Sequence, residues 1–274
     1  MIQLAAFDLD GTLVDSKLQV RPRVRAAIAR ALEYGVTITL ATGRMFSATR
    51  PFAEALGIRA PLICYQGGWI QGLETPVLHR DALPTSLARA SIAMGKAQGW
   101  HTILYADGEL YIDAMRHPQR FYEQLLGPAP SVEPELVSVL ENHTPDKVLF
   151  VADPDEIPGM ERLLTSAFGS EAEVVQSHAR FIEIVPQHVT KGRALAWLAD
   201  YYGLPRHAVL AAGDQQNDIS MVLWAGVGIA MGNGVPALKA VADWIAPSLE
   251  EDGAAEIFAR YILPEPGLAE VPAN

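Results

Sequence analysis

Residues 2–15 are Ile2-Gln3-Leu4-Ala5-Ala6-Phe7-Asp8-Leu9-Asp10-Gly11-Thr12-Leu13-Val14-Asp15, an apolar run that stops at two acidic residues. Such a run predicts a strand that is buried on both faces of a parallel sheet. Because side chains alternate along a strand, the spacing of Asp8 and Asp10 puts both carboxylates on one side. Gly11 and Thr12 then favour a tight turn that leaves the sheet. Two acids therefore meet at the carboxyl end of a strand, where open α/β sheets bind ligands.

Two carboxylates at this distance repel each other strongly unless a cation compensates their charge. A divalent cation held by Asp8 and Asp10 is one solution, and Mg²⁺ suits hard oxygen ligands. The alternative is a surface turn in which both acids are solvated and Thr12 caps a helix. The later motifs of the chain favour the cation site.

The order of predicted elements indicates an α/β core. After the acidic turn, the pattern predicts a helix over 22–34, a strand over 36–41, a helix over 45–56 that Pro51 kinks or restarts, and a strand over 62–65. This order favours a parallel sheet with right-handed crossovers. The same alternation returns after residue 189, with predicted helices over 191–202, 219–225, 235–241 and 256–261, and predicted strands over 208–212, 228–230 and 244–245.

Between these two parts the pattern changes to neighbouring strands and helices. It predicts helices over 79–99 and 158–168, a hairpin of strands 102–105 and 110–112, and further strands over 146–151, 173–175 and 180–184. We therefore expect a doubly wound parallel-sheet core built from residues 1–82 and 187–274, with an α+β cap domain inserted over residues 83–186. Three prolines after Leu263 predict a loose tail.

The composition limits the partners of the protein. Half of its 274 residues are hydrophobic, 19% are charged, and the formal net charge is −11, which describes a globular protein and argues against nucleic acids and membrane surfaces. The longest apolar run, residues 221–231, is too short to span a bilayer. The single cysteine, Cys64, cannot form an internal disulfide, which fits a reducing cytoplasm. We expect a cytoplasmic monomer or weak homo-oligomer.

Three predicted core strands end in polar clusters, which are Asp8/Asp10, Thr42/Gly43/Arg44 and Asp214/Asn217/Asp218. The carboxyl ends of parallel strands lie at one edge of a sheet, so these clusters are expected to meet in one crevice. Thr42 and the backbone N–H groups around Gly43 suit phosphate oxygens, with Gly43 allowing their close approach. Lys191 is predicted in the first turn of a helix, where the dipole disfavours a cation, so we expect an anion beside it.

Taken together, these motifs resemble those of the haloacid dehalogenase (HAD) superfamily. The matching segments are Asp8-Leu9-Asp10-Gly11-Thr12, Thr42-Gly43-Arg44, Lys191-Gly192 and Gly213-Asp214-Gln215-Gln216-Asn217-Asp218. Residues 225–233 and 251–253 resemble its Cof-type phosphatase branch (HAD type IIB). In that branch an α+β cap is inserted between the second and third motifs, which matches the layout predicted above.

The resemblance implies an Mg²⁺-dependent phosphatase that acts on a small phosphorylated metabolite, such as a sugar phosphate or a phosphorylated cofactor. By this resemblance Asp8 is the nucleophile that forms an aspartyl-phosphate, and Asp10 is the general acid and base, with a pKa above that of Asp8. The metal would be held by Asp8, the backbone carbonyl of Asp10 and Asp214, with Asp218 in support. The phosphoryl group would be held by Thr42 and Lys191, with further contacts from Gly43, Arg44 and Asn217.

One position departs from the family pattern. The third strand of this branch usually ends in Asn-Gly, whereas this chain has Gln66-Gly67, which puts the substrate contact at that turn in question. Four cap residues are candidates for reading the organic part of the substrate: Tyr105, Lys147, His178 and Arg180. Two other functions remain open at this point. One is phosphoryl transfer to a second substrate, as in a phosphomutase, and the other is metabolite binding without catalysis.

Overall fold

The structure, a computed structural model, describes residues 1–263, apart from the side chain of residue 124. The tail predicted after Leu263 lies outside the described residues. The first part of the chain forms β1 (Leu4–Phe7), α1 (Pro22–Glu33), β2 (Thr37–Leu40), α2 (Phe46–Leu56), β3 (Leu62–Cys64), β4 (Trp69–Gln71) and β5 (Val77–Arg80).

The middle part forms α3 (Thr85–Gln98), β6 (His101–Ala106), β7 (Glu109–Ile112), α4 (Gln119–Leu125), β8 (Ser131–Val132), α5 (Leu136–Val139), β9 (Pro145–Val151), α6 (Ile157–Phe168), β10 (Ala172–His178) and β11 (Phe181–Pro186). The last part forms α7 (Lys191–Tyr201), β12 (Val209–Gly213), α8 (Ile219–Trp224), β13 (Val227–Ala230), α9 (Pro236–Lys239), β14 (Trp244–Ile245) and α10 (Gly253–Tyr261).

The first and last parts share one parallel sheet, with the strand order β14-β13-β12-β1-β2. A parallel bridge between Ala41 and Ile63 brings β3 alongside β2. Strand β1 lies between β12 and β2, and all four of its residues are buried, as its apolar sequence requires. The predicted α/β fold class is confirmed.

The middle part forms a second sheet of six strands in the order β10-β11-β9-β6-β7-β8, antiparallel except for the pair β7–β8. Successive side chains along its strands point to opposite faces of this sheet. Val148, Phe150 and Ile182 pack in the cluster that includes residues of α3 and α6. Their neighbours Lys147 and Glu183 lie on the other face, against the parallel sheet. The division of the chain at residues 82/83 and 186/187 remains a prediction.

The helix predicted over 79–99 is wrong at its start. His79 and Arg80 belong to β5, which pairs with β4 in a three-stranded antiparallel sheet with β3. The backbone N–H and C=O groups of β5 make their hydrogen bonds to β4, so these residues do not need a helix to pair them. Helix α3 begins only at Thr85, after Pro84. Strand β4, helices α4 and α5, and strand β8 had no predicted counterpart.

Other differences concern boundaries. The strand predicted over 62–65 ends at Cys64 because Tyr65 and Gln66 adopt positive φ angles of 51° and 62°. Helix α9 is shorter than the predicted 235–241, and α10 begins before the predicted residue 256. Pro51 lies inside α2, which continues through it. Within residues 1–263 no helix combines the length and apolarity needed to cross a membrane. Cytoplasmic location and oligomeric state remain predictions.

Candidate active site

A cavity of about 450 Å³ lies between the carboxyl ends of the parallel strands and the second sheet. Its walls from the parallel-sheet side include Asp8, Asp10, Thr42, Gly43, Arg44, Asp214 and Asn217. From the second sheet and its helix α4 come Tyr105, Leu125, Leu126, Lys147, Leu149, Ser177, His178, Phe181 and Glu183. The structure therefore brings the three predicted polar clusters to one crevice, because the strands that precede them are parallel neighbours. Asp218 of the third cluster is fully buried and does not line the cavity.

Lys191 lies beside this crevice and is almost completely buried. The side chain of Thr190 caps helix α7 by accepting the N–H of Arg193, which fixes Lys191 as the first helical residue. Its ammonium group donates to Oδ1 of Asp8 and to Oδ1 of Asp218, at 2.6 Å in both cases. The anion expected beside Lys191 is thus a pair of the protein's own carboxylates.

Burial by itself would lower the pKa of Lys191, but the charges of Asp218 and Asp8 outweigh this effect and raise the pKa above its usual value. Lys191 is therefore charged throughout the physiological pH range. A lysine at a helix start, which the dipole disfavours, is stabilised here by two buried ion pairs.

Three buried acids meet at this point. One carboxylate oxygen from each of Asp8, Asp214 and Asp218 lies within 4.8 Å of the other two. Burial raises the pKa of Asp8 well above its ordinary value, and the neighbouring acids Asp218 and Asp214 add to this effect, while Lys191 opposes it. Burial and the charge of Asp218 raise the pKa of Asp214 to about 7. A single lysine therefore leaves the acids with excess negative charge, and this set of oxygens fits a hard divalent cation.

The three acids differ in the number and kind of hydrogen bonds that they accept. Oδ2 of Asp218 accepts the backbone N–H groups of Asp214 and Gln215, both at 2.9 Å, while its Oδ1 accepts from Lys191. Asp214 accepts weaker bonds, from the hydroxyl of Thr12 at 3.1 Å and from the side chain of Gln215 at 3.0 Å. Asp218 therefore mainly fixes the loop after β12, and Asp8 and Asp214 are the acids better placed to ligate a cation.

Asp10 does not place its carboxylate in this acidic group. Its two oxygens accept from Nε and from a terminal nitrogen of Arg44, at 2.6 and 2.7 Å. The Asp10 side chain is about half exposed to the cavity, whereas Arg44 is buried. The predicted ligation of a cation by Asp10 therefore remains possible only through its backbone, as the resemblance implied. The bidentate bond holds its carboxylate in one orientation.

Thr42 and Gly43 form the loop after β2. The Thr42 hydroxyl accepts the N–H of Arg44 at 3.1 Å, and this side chain is buried. A Cβ atom at residue 43 would overlap the side-chain nitrogen of Gln66. The neighbouring glutamine therefore already excludes a side chain at residue 43, and the close approach of a ligand that the sequence suggested remains a prediction.

A chain of hydrogen bonds links Gln66 to both sides of the cavity. Its Oε1 accepts from Nδ2 of Asn217 at 2.9 Å, and its Nε2 donates to Oε1 of Glu183 at 3.0 Å. The other carboxylate oxygen of Glu183 accepts from Lys147 at 2.6 Å, and Lys147 also donates to the backbone carbonyl of Gly43 at 2.8 Å. Gln66 is thus a bridge between the two sheets.

Sequence reasoning missed Glu183, whose signal was an isolated acid inside the apolar strand Phe181-Ile182-Glu183-Ile184. It also missed the apolar wall formed by Leu125, Leu126, Leu149 and Phe181. Of the four cap candidates, Tyr105, Lys147 and His178 line the cavity. Arg180 does not, because it lies in the turn between β10 and β11 and pairs with Asp153 at 3.1 Å.

The fold and the acidic site define a class of protein. The model of the haloacid dehalogenase-like hydrolases matches residues 5–258. The chain therefore belongs to this family, and the predicted class of enzyme, a phosphoric monoester hydrolase, is confirmed.

Individual phosphatases and a solved structure also resemble this chain. The chain is 28% identical to the 5-amino-6-(5-phospho-D-ribitylamino)uracil phosphatase of Bacillus subtilis over 271 residues, covering 94% of this chain and 97% of the relative. It is 30% identical to the HMP-PP phosphatase of Escherichia coli K12 over 250 residues, covering 88% of each chain. A solved haloacid dehalogenase-like hydrolase from Bacteroides thetaiotaomicron superposes with a TM-score of 0.83 at 29% identity, covering 95% of this chain and 99% of that one.

Proposed function

We propose that this protein is an Mg²⁺-dependent phosphatase that hydrolyses small phosphorylated metabolites through an aspartyl-phosphate on Asp8. The observation that carries the proposal is the meeting of Asp8, Asp214 and Asp218 around the single ammonium of Lys191, at the edge of a cavity. An acidic group of this kind is a costly arrangement for a fold, and binding of a cation and a phosphoryl group gives it a purpose.

The cation would be held by Asp8, Asp214 and the backbone carbonyl of Asp10, with Asp218 fixing the loop that carries Asp214. When bound, Mg²⁺ supplies positive charge that keeps Asp8 ionised and offsets the negative charge of the phosphoryl oxygens. The choice of Mg²⁺ over other divalent ions rests on the all-oxygen donor set.

The chemistry of the residues then follows in two steps. A carboxylate oxygen of Asp8 attacks phosphorus, the bond to the leaving oxygen breaks, and Asp10 donates a proton to that oxygen. In the second step Asp10 takes a proton from water, which attacks the phosphorus, and Asp8 is released with inorganic phosphate. To donate its proton Asp10 must be protonated on one oxygen, which then gives up its bond to Arg44, and the remaining bond to Arg44 keeps the carboxyl in place for both transfers.

The phosphoryl group would lie between the loops that follow β1, β2 and β12. Thr42, the N–H groups beside Gly43 and the ammonium of Lys191 would bind its oxygens, on which charge gathers during transfer. Arg44 and Asn217 line the same cavity and would contact its edge.

The cavity also supports a proposal for the substrate class. A volume of about 450 Å³ suits a small molecule. The apolar wall of Leu125, Leu126, Leu149 and Phe181 favours a substrate with a flat ring over one that consists of hydroxyl groups alone. Relatives named for a ribitylaminouracil phosphate and for HMP-PP are in keeping with this preference. We therefore favour phosphorylated cofactors and their precursors over simple sugar phosphates.

The test is release of inorganic phosphate from p-nitrophenyl phosphate and from a panel of phosphorylated metabolites, with Mg²⁺ and with a chelator. The wild-type protein should be active only with the metal, and Asp8→Asn should reduce turnover to background. The matched control is Asp200→Asn, at an exposed position of α7, which should retain full activity. Activity that survives Asp8→Asn would overturn the mechanism, and the absence of any hydrolysis by the wild-type protein would overturn the function.

A further inference from the structure

We propose that docking of the second sheet onto the core sets the orientation of the Asn217 side chain, with Gln66 as the intermediary and Glu183 as a positioning residue. This inference rests on the proposed phosphatase function, because it concerns how the same site becomes ready to bind a phosphoryl group. It is carried by the direction of two hydrogen bonds, a buried one between Gln66 and Glu183 and a partly buried one between Asn217 and Gln66.

The direction of these bonds follows from Glu183. An ionised carboxylate only accepts hydrogen bonds, so any amide in contact with the buried Glu183 must turn its N–H groups toward it, even though Lys147 and Ser177 also donate to this acid. The amide of Gln66 must therefore present Nε2 to Glu183, which leaves its Oε1 facing Asn217. Asn217 must in turn present Nδ2 to Gln66. One acid on the second sheet thus determines which way two amides of the core point.

The Oδ1 atom of Asn217 supports the conclusion that Glu183 determines the orientation of both amides. Its Oδ1 is buried and has no hydrogen-bond partner among the described residues. A buried oxygen without a donor costs free energy, so an amide that can turn freely does not favour this orientation. Asn217 keeps this orientation because the opposite one would place its oxygen against the oxygen of Gln66. When Glu183 moves away, the amide of Gln66 can turn, and Asn217 is released from this constraint.

A second connection starts from the same ion pair. Lys147, which is 2% exposed, donates both to Glu183 and to the backbone carbonyl of Gly43. Gly43 lies in the loop after β2 and Asn217 in the loop after β12, and both loops line the cavity. The buried pair of Lys147 and Glu183 therefore contacts one loop directly and the other through Gln66.

The consequence is that the phosphate site is complete only when the two sheets are in contact. A substrate bound with the sheets apart would meet an Asn217 whose amide is not held in place. Contact between the second sheet and the core would then order the groups that hold the phosphoryl oxygens. Closure of the two sheets over a substrate is thereby linked to the reaction.

The first test compares Gln66→Met with Gln71→Met, a matched substitution of a glutamine in β4 that bonds to Trp69 and Thr75 instead. The measured quantity is the inhibition constant of inorganic phosphate against p-nitrophenyl phosphate, with the melting temperature recorded for each variant. Gln66→Met should raise this constant about tenfold, the effect of losing one or two hydrogen bonds, and Gln71→Met should leave it unchanged. An unchanged constant in an active Gln66→Met protein would overturn the proposal.

The second test is a double-mutant cycle between Gln66→Met and Glu183→Gln. A glutamine at residue 183 can donate as well as accept, so it no longer dictates the orientation of Gln66. Its effect on phosphate inhibition should be much smaller in the Gln66→Met background than in the wild-type background. Equal effects in both backgrounds would mean that Glu183 acts only through stability, and would overturn the relay. If Glu183→Gln fails to fold, the single variant Gln66→Asn is tested in place of the cycle. Its shorter side chain spans only one partner, so it should raise the inhibition constant as Gln66→Met does. A wild-type inhibition constant for Gln66→Asn would contradict the relay.

These outcomes are separable from the proposed function. A wild-type protein that hydrolyses no phosphate ester would defeat the phosphatase itself. An active wild-type protein whose phosphate inhibition does not respond to Gln66 or Glu183 would defeat only the relay.

Discussion

The ammonium group of Lys191 lies 2.6 Å from a carboxylate oxygen of Asp8, although 183 residues separate the two in sequence. The same ammonium lies 2.6 Å from Asp218, so that the helix opening the last part of the chain is tied both to the first strand and to the loop after β12. Both acids and the lysine are buried. Lys191 thus holds the acidic site together.

Replacing Lys191 by methionine should therefore destabilise the protein. The variant leaves buried carboxylates without their cation, a change that costs about 3–5 kcal/mol in comparable buried pairs. We expect urea unfolding above neutral pH to give a correspondingly lower free energy of unfolding, and added Mg²⁺ to restore part of it. Lys96→Met is the control, because the side chain of Lys96 is 73% exposed and its pair with Glu135 contributes little. Equal stability of the two variants would contradict the prediction.

Stability should also depend on pH through Asp214. The pKa of this carboxyl is raised to about 7 in the folded protein from 3.8 for a free side chain. The folded state therefore holds a proton that the unfolded chain releases, and the free energy of unfolding without divalent cations should fall as the pH rises from about 4 to about 7.

Binding of Mg²⁺ to the same oxygens competes with this proton, so stabilisation by the metal should grow across the same pH range. Melting temperatures with and without Mg²⁺ at several pH values measure both effects. Asp214→Asn should remove part of the pH dependence, because the pKa of the buried Asp8 is raised as well. A metal-induced shift that is equal at all pH values would contradict this assignment.

The pairing of Arg44 with Asp10 predicts that lysine is a poor substitute for Arg44. Two nitrogens of Arg44 bond to the two oxygens of Asp10, and a lysine offers a single ammonium in their place. Arg44→Lys should lower kcat/KM for p-nitrophenyl phosphate by about tenfold to a hundredfold, the range expected for losing a hydrogen bond between charged groups. Arg50→Lys, in an exposed pair with Glu54, is the matched control and should leave the kinetics unchanged. Wild-type kinetics for Arg44→Lys would show that the pair does not orient Asp10 for catalysis.

Gly43→Ala tests the contact between the loop after β2 and Gln66. The added methyl group overlaps the side-chain nitrogen of Gln66, so we expect a loss of about 1–3 kcal/mol in stability together with weaker inhibition by phosphate. Gly159→Ala is the control, because no atom lies near a Cβ at this position in α6. That change should stabilise the protein by about 0.5–1 kcal/mol, since alanine favours a helix over glycine. A Gly43→Ala protein with wild-type stability and phosphate inhibition would contradict the contact.

Much of the fold was determined by local sequence. The alternation of apolar strands and amphipathic helices predicted the parallel sheet, because each strand buries both faces and each helix buries one. Positions at strand ends followed from the same pattern, so Asp8, Thr42 and Asp214 were expected in one crevice and lie there. The local pattern did not predict the strand over residues 77–80, because this strand forms only by pairing with β4.

What the sequence could not provide was the partner of each polar side chain. The direction of the Asp10 carboxylate toward Arg44, the partners of Lys191 and the bond between Gln66 and Glu183, 117 residues apart, all arise where separate elements pack together. A local pattern fixes which face of a strand or helix a side chain occupies, but not which distant atom completes its hydrogen bonds. The sequence by itself thus determined the parallel core and the residues at its carboxyl edge. The tertiary structure decided how those residues pair, because buried charges and amides must find their partners across the contact between two sheets.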